Sequence, residues 1–168
     1  RKDAVADCKI YILQFKIRRI IVKKIKIVFW LLFAVVTVFI FKNSAKPAAA
    51  SSQQSGIFVS LAVRYLGFLF KNADSAVVAV RKSAHFFEFF LQGAFLSAAL
   101  FSVKYHKALI YVLFTGLFTA CIDELIQLSF EGRGSMVSDI FVDFAGTCFA
   151  CICFVFAWLA AEKRRKRG

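Results

Sequence analysis

Long apolar blocks alternate with short polar ones along this chain. Residues 25–41, 84–103, 108–130 and 140–161 are four apolar runs, each near the ~20 residues a helix needs to cross a hydrocarbon core. None has the ten-residue alternation of a barrel strand. The pattern predicts one all-α polytopic domain with four transmembrane helices. Polar positions inside these runs recur at helical spacing. Arg81, His85, Glu88 and Gln92 lie 4, 3 and 4 apart, on one face. Thr119, Asp123 and Gln127 repeat this at 4 and 4, with Glu124 beside them. Asp139, Asp143 and Gly146 share a face where the fourth run begins. Ionisable residues within a span are costly and usually face a bundle interior or a wet cavity.

The segments between runs add three expectations. Residues 1–24 form a basic amphipathic arm, and over 1–26 Lys9, Lys16, Arg19, Lys23 and Lys26 make a helical stripe leading into the first span. Such a stripe suits an interfacial helix drawn to anionic inner-leaflet lipid. Residues 43–56 read as a polar hinge. Residues 57–70 are apolar but broken by Ser60 and Arg64 and too short to span, so they are expected as an interfacial or re-entrant helix. Lys71 to Ser75 break that segment. No internal repeat is evident.

Composition agrees with a membrane protein. The chain of 168 residues is 60% hydrophobic, with 22 Phe and one Pro, against about 45–50% apolar in soluble domains. The net charge of +13 sits mainly before the first run and in the tail, 163–168. Cytoplasmic loops collect Lys and Arg, so both termini are expected inside, with Lys104 and Lys107 in a short inner turn. The expected location is the bacterial cytoplasmic membrane, multi-pass. No nucleic-acid partner is expected, because base-reading modules are absent. Five cysteines give no disulfide framework: Cys8 belongs to the arm, while Cys121, Cys148, Cys151 and Cys153 are expected as small core filler. The chain begins at Arg1 rather than Met, which leaves room for a native start upstream. No cleavable signal peptide is expected.

With this topology, three helices present acids and a histidine to one outward pocket ringed by Arg81, Lys82 and Arg133. The same residues suit different chemistries. The cations can neutralise Glu88, Asp123, Asp139 and Asp143 in interhelical ion pairs. They also suit a phosphate or pyrophosphate, which arginine binds in a bidentate fork. His85, Glu88, Asp123 and Asp139 are the candidate acid–base set; Arg81, Lys82, Glu124, Gln127, Arg133 and Asp143 are candidate ligand-binding residues. A divalent-metal site of His85, Asp123, Asp139 and Asp143 is chemically conceivable. Its spacing matches no standard motif, so neither metal nor cofactor is expected. No nucleophile signature is present.

The run RKSAHFFEFFLQG at 81–93 and the run DELIQLSFEGRGSMVSDIFVDFAG at 123–146 resemble the signature of VanZ-like proteins. Asn43 and Ser44, followed by the serines of 51–55, resemble that family's outer serine-rich segment, which adds both residues to the ligand-binding set. One departure is Glu131, where the family pattern leads one to expect proline. The resemblance covers about two thirds of the chain and makes residues 25–162 the VanZ-like transmembrane domain. It implies an envelope protein linked to susceptibility to teicoplanin, a lipid-bearing glycopeptide. The expected partners are membrane lipid and a lipid-linked cell-wall precursor or lipoglycopeptide. An enzyme modifying a lipid or wall precursor is the first alternative. A small transporter or flippase is the second, disfavoured by the missing repeat.

Overall fold

The computed structural model describes the backbone of residues 2–70, 72–100, 105–133 and 136–167, and their side chains except at 2–15, 18, 48, 49, 52, 54, 55, 66, 69, 73 and 105. Side chains of Cys8, Lys9, Ser52 and Ser55, and all of Lys71, Lys104 and Gly134, therefore lie outside the described residues. Among the described residues five α-helices run in order: α1 (Lys2–Ser44), α2 (Ala48–Leu66), α3 (Ala73–Ala99), α4 (Tyr105–Leu128) and α5 (Val137–Arg165). A 3-10 turn, Gly67–Leu69, follows α2. No strand occurs among the described residues.

Among the described residues, three stretches are long and apolar enough to cross a membrane: Arg19–Ser44, His106–Leu128 and Val137–Arg165. The expected fourth, residues 84–103, is described only as far as Leu100, and no window of α3 within the described residues is apolar enough. The stripe of Lys82, His85, Glu88 and Gln92 lowers the mean hydropathy of a helix of otherwise sufficient length. The apolar part of α2, Gly56–Tyr65, is too short to cross.

Three boundaries differ from the sequence expectation, among them the break expected at 71–75, since α3 begins at Ala73. The basic arm and first span are a single helix of 43 residues, because neither Gly nor Pro interrupts residues 2–44. At 1.5 Å per residue it is roughly 65 Å long, about twice a bilayer core of ~30 Å, so only part of it fits in hydrocarbon. The expected hinge at 43–56 contracts to residues 45–47. Pro47, with φ −56° at the N-cap of α2, sets the break, and the alanines that follow favour helix immediately.

The start of α3 is fixed locally. Asn72 Oδ1 accepts from the Ser75 amide at 2.9 Å, and Ser75 Oγ accepts from the Asn72 amide at 3.2 Å, forming a reciprocal capping box. Between α4 and α5 the turn falls on Gly132, whose φ of +74° is strained for any residue with a Cβ.

Helix α3 is the hub and packs on α1, α2, α4 and α5. Its approach to α5 is closest, because Gly146 lets the α5 backbone reach the Phe86 carbonyl. A Cβ on Gly93 would stand 3.0 Å from Ala150 Cβ. The Phe149 ring packs against Phe86 and Phe90, with centroids 6.1 and 5.6 Å away. Small residues that let helix backbones meet are the usual means of association in lipid. Two apolar clusters complete the core: Ile40, Phe89 and Ala120 near the polar end, and Leu96, Val112 and Cys151 deeper. Of the cysteines expected as filler, Cys151 is buried, Cys121 and Cys148 are half-buried, and Cys153 is exposed. Position 153 lies two residues from Cys151 on a helix, and so on another face.

Gly146→Leu is expected to destabilise the bundle by about 1–3 kcal/mol through overpacking. Gly56→Ala meets nothing within 4 Å and is expected to gain up to about 1 kcal/mol of helix propensity. Denaturant unfolding in bicelles reads both.

Candidate functional site

The polar faces of α1, α3, α4 and α5 meet at the end of the bundle that carries the α1–α2 turn and the α4–α5 loop. Asp123 is the innermost acid, with no exposed surface. Ser44, the last residue of α1, donates its hydroxyl to Asp123 Oδ1. Gln127, one turn along α4, donates to Oδ2 at 2.7 Å. Asn43 links three elements: its Nδ2 donates to Glu88 Oε1 at 3.0 Å, its Oδ1 accepts from Lys46 at 3.1 Å, and its carbonyl accepts from Arg133 Nη2 at 3.3 Å. Glu124 accepts from the Met136 amide at 2.7 Å, which ties the loop before α5 back to α4.

His85 faces two acids from different helices. Its Nδ1 lies 3.6 Å from Asp143 Oδ1 and 3.8 Å from Asp123 Oδ2, beyond good hydrogen-bond length. Asp143 is buried and neither oxygen has a hydrogen-bond partner. Asp139, one turn nearer the start of α5, pairs instead with Lys82 at 2.8 Å. Gln92 lies deeper and donates to Thr37 at 2.9 Å and, more weakly, to Thr119 at 3.4 Å.

Two cavities share this centre. The larger, of 560 Å³, lies between α1, α2 and α3. Phe39, Phe58, Ala62 and Phe70 give it apolar walls, while Asn43, Arg81, His85, Glu88 and Arg133 form a polar end. The smaller, of 270 Å³, lies between α3, the α4–α5 loop and α5, and includes Lys82, Gln127, Asp139 and Asp143. Arg81, His85 and Arg133 line both. Buried Arg81 Nε, Arg133 Nε and Arg133 Nη1 have no hydrogen-bond partner. Burial, and then the charge of neighbouring Arg81, lower the pKa of the Arg133 guanidinium from its ordinary value.

A family model, VanZ/LLP1, matches residues 29–159, most of the chain. The chain belongs to the VanZ/LLP1 family. No curated protein and no solved structure gives a match. The matched region begins in α1 and ends in α5, so it includes every residue of the site.

Of the residues singled out in this VanZ-family sequence, Asn43, Ser44, Arg81, His85, Glu88, Asp123, Gln127, Arg133 and Asp143 converge on the centre. Lys82 and Asp139 stand aside as an ion pair at the smaller cavity. Glu124 is engaged with the loop backbone. The grouping of His85, Asp123, Asp139 and Asp143 contracts accordingly. His85, Asp123 and Asp143 bring ligand-capable atoms within 4.8 Å of one another, without Asp139. Sequence reasoning missed the wall from α2, where Phe58 and Ala62 are four apart. It also missed Thr37, the acceptor for Gln92. The spacing of 58 and 62 was a detectable signal; Thr37 sits in an unbroken apolar run and gave none.

Ser44→Ala leaves a fully buried carboxylate oxygen without its donor and is expected to cost about 1–3 kcal/mol. The Lys82–Asp139 pair is more open, with side chains 38% and 26% exposed. A double-mutant cycle on that pair is expected to give a coupling below about 1 kcal/mol.

Proposed function

We propose that this VanZ-family chain is an integral protein of the bacterial cytoplasmic membrane that binds the anionic head of a lipid-linked or lipidated ligand at its outer face. In this reading α1, α3, α4 and α5 cross the membrane, both termini are cytoplasmic, and α2 lies at the outer surface. Charge supports the orientation: Lys163, Arg164 and Arg165 close α5, and the basic half of α1 precedes its apolar half. Occupancy of the site would alter susceptibility to lipoglycopeptides such as teicoplanin, as the family resemblance suggests.

One observation carries the ligand class. Three buried guanidinium nitrogens, on Arg81 and Arg133, lack partners at the polar end of a cavity whose other walls are mostly apolar. Burying such donors is costly unless something accepts from them. Two guanidiniums near each other also repel, and an anion between them removes both penalties. Apolar walls beside an anion site suit an amphiphile, with its head at the arginines and its chain along Phe39, Phe58 and Phe70.

Protein in nanodiscs is expected to bind a polyprenyl phosphate, or teicoplanin, more tightly than a zwitterionic lipid of equal chain length. Losing charge-assisted hydrogen bonds at about 1.5–3 kcal/mol predicts about ten- to hundredfold weaker binding for Arg81→Gln and Arg133→Gln. Equal affinity for charged and zwitterionic ligands would remove the basis of this reading. For topology, green fluorescent protein fused after residue 168 is expected to fluoresce, and alkaline phosphatase at the same point to be inactive.

A further inference from the structure

We infer that His85, Asp123 and Asp143 form a binding site for a divalent transition-metal ion of the zinc or manganese type. Each ligand comes from a different helix, α3, α4 and α5 respectively, as in metal sites built within helical bundles. Imidazole plus two carboxylates is a donor set suited to zinc and related ions, and three protein ligands leave further positions open. The proposal is independent of the lipid-ligand reading and is tested without lipid ligand.

Two observations beyond the clustering of acids point to an ion. The first is Asp143 itself, 1% exposed, with both carboxylate oxygens and the facing His85 Nδ1 lacking hydrogen-bond partners. A buried carboxylate without a partner is heavily penalised, and an ion meeting both groups removes that penalty. The second is spacing. A direct His–Asp hydrogen bond needs about 2.7–3.2 Å, whereas the gaps are 3.6 and 3.8 Å. Donors around a tetrahedral ion with bonds near 2.0–2.1 Å stand about 3.4 Å apart. The two gaps to His85 are therefore wide for a hydrogen bond and within a few tenths of an ångström of a metal's requirement, and all three ligand atoms lie within 4.8 Å of one another.

The surroundings hold one ligand in position. Ser44 and Gln127 donate to the two oxygens of Asp123 and fix its plane, the role of supporting hydrogen bonds in metal sites. A carboxylate oxygen that accepts one hydrogen bond keeps a second lone pair for an ion. Asp139 takes no part, since Lys82 holds it at the smaller cavity. His85 and Asp143 line the smaller cavity, so the ion would stand beside it with Asp123 behind.

The test is metal retention by full-length protein in nanodiscs, stripped with EDTA, reloaded with Zn²⁺ or Mn²⁺ and desalted. Wild type is expected to keep about one equivalent per chain, with at least tenfold weaker binding in Asp143→Asn and His85→Ala. Asp139→Asn is expected to retain the ion. Mn²⁺ bound to wild type is expected to show ¹⁴N coupling from an imidazole by pulsed EPR, a readout that needs no variant to fold. Failure of wild type to retain an ion would overturn the site. Undiminished retention in both ligand variants, or a bound Mn²⁺ without ¹⁴N coupling, would overturn it equally.

Discussion

A carboxylate with no exposed surface, on a helix otherwise fit to cross a membrane, must find its partners inside the protein. Asp123 is that group, and the organisation of the polar end follows from how it is satisfied. Ser44 reaches it from the end of α1, so the end of α1 must dock on α4. Gln127 reaches it from the next turn of its own helix. His85 approaches from α3 with Asp143 behind it on α5. One buried acid thus sets the mutual register of four helices, and removing its donors would leave a buried carboxylate underpaired.

The apolar packing makes this arrangement geometrically available. Gly146 brings the α5 backbone against the Phe86 carbonyl, one residue from His85 and two from Glu88. The same contact sets which acid of α5 reaches the centre. Asp143 arrives beside His85, while Asp139, one turn earlier, lies with Lys82. The glycines and phenylalanines between α3 and α5 therefore position chemistry as well as bury surface. The outer rim is held by Asn43, which joins α1 to α3 and to the α4–α5 loop.

Much of this was legible in the sequence, for reasons that differ by element. The 4-3-4 spacing from Arg81 to Gln92 and the 4-4 spacing from Thr119 to Gln127 gave the two faces directly, because helical periodicity survives any tertiary environment. The choice between Asp139 and Asp143 was not legible. Both lie on one face, and only the depth set by the close approach of α5 to α3 separates them. Asn43 and Ser44 were marked by family resemblance rather than by pattern, since two polar residues at the end of an apolar run read as a helix exit. The extent of α2 was hidden because AAASSQQSG is as compatible with a polar loop as with a helix, and Pro47 decides it. The arginine pair was visible as charge. Its unpartnered nitrogens, and the apolar cavity beside them, required three dimensions.

These features combine into one claim: the Arg81–Arg133 end and the adjoining apolar cavity act together as a site for an anionic amphiphile. Photo-crosslinking tests it most directly. A benzophenone amino acid replaces Ala62, on the α2 wall, in nanodiscs holding a minority of phosphate-bearing polyprenyl lipid among zwitterionic lipid. Adducts are then identified by mass spectrometry in chains with and without Arg81→Gln and Arg133→Gln. The account predicts phosphate-bearing adducts well above their share of the bilayer in the parent chain, falling to that share when the arginines are replaced. Adducts that follow bulk lipid composition in both chains would contradict it.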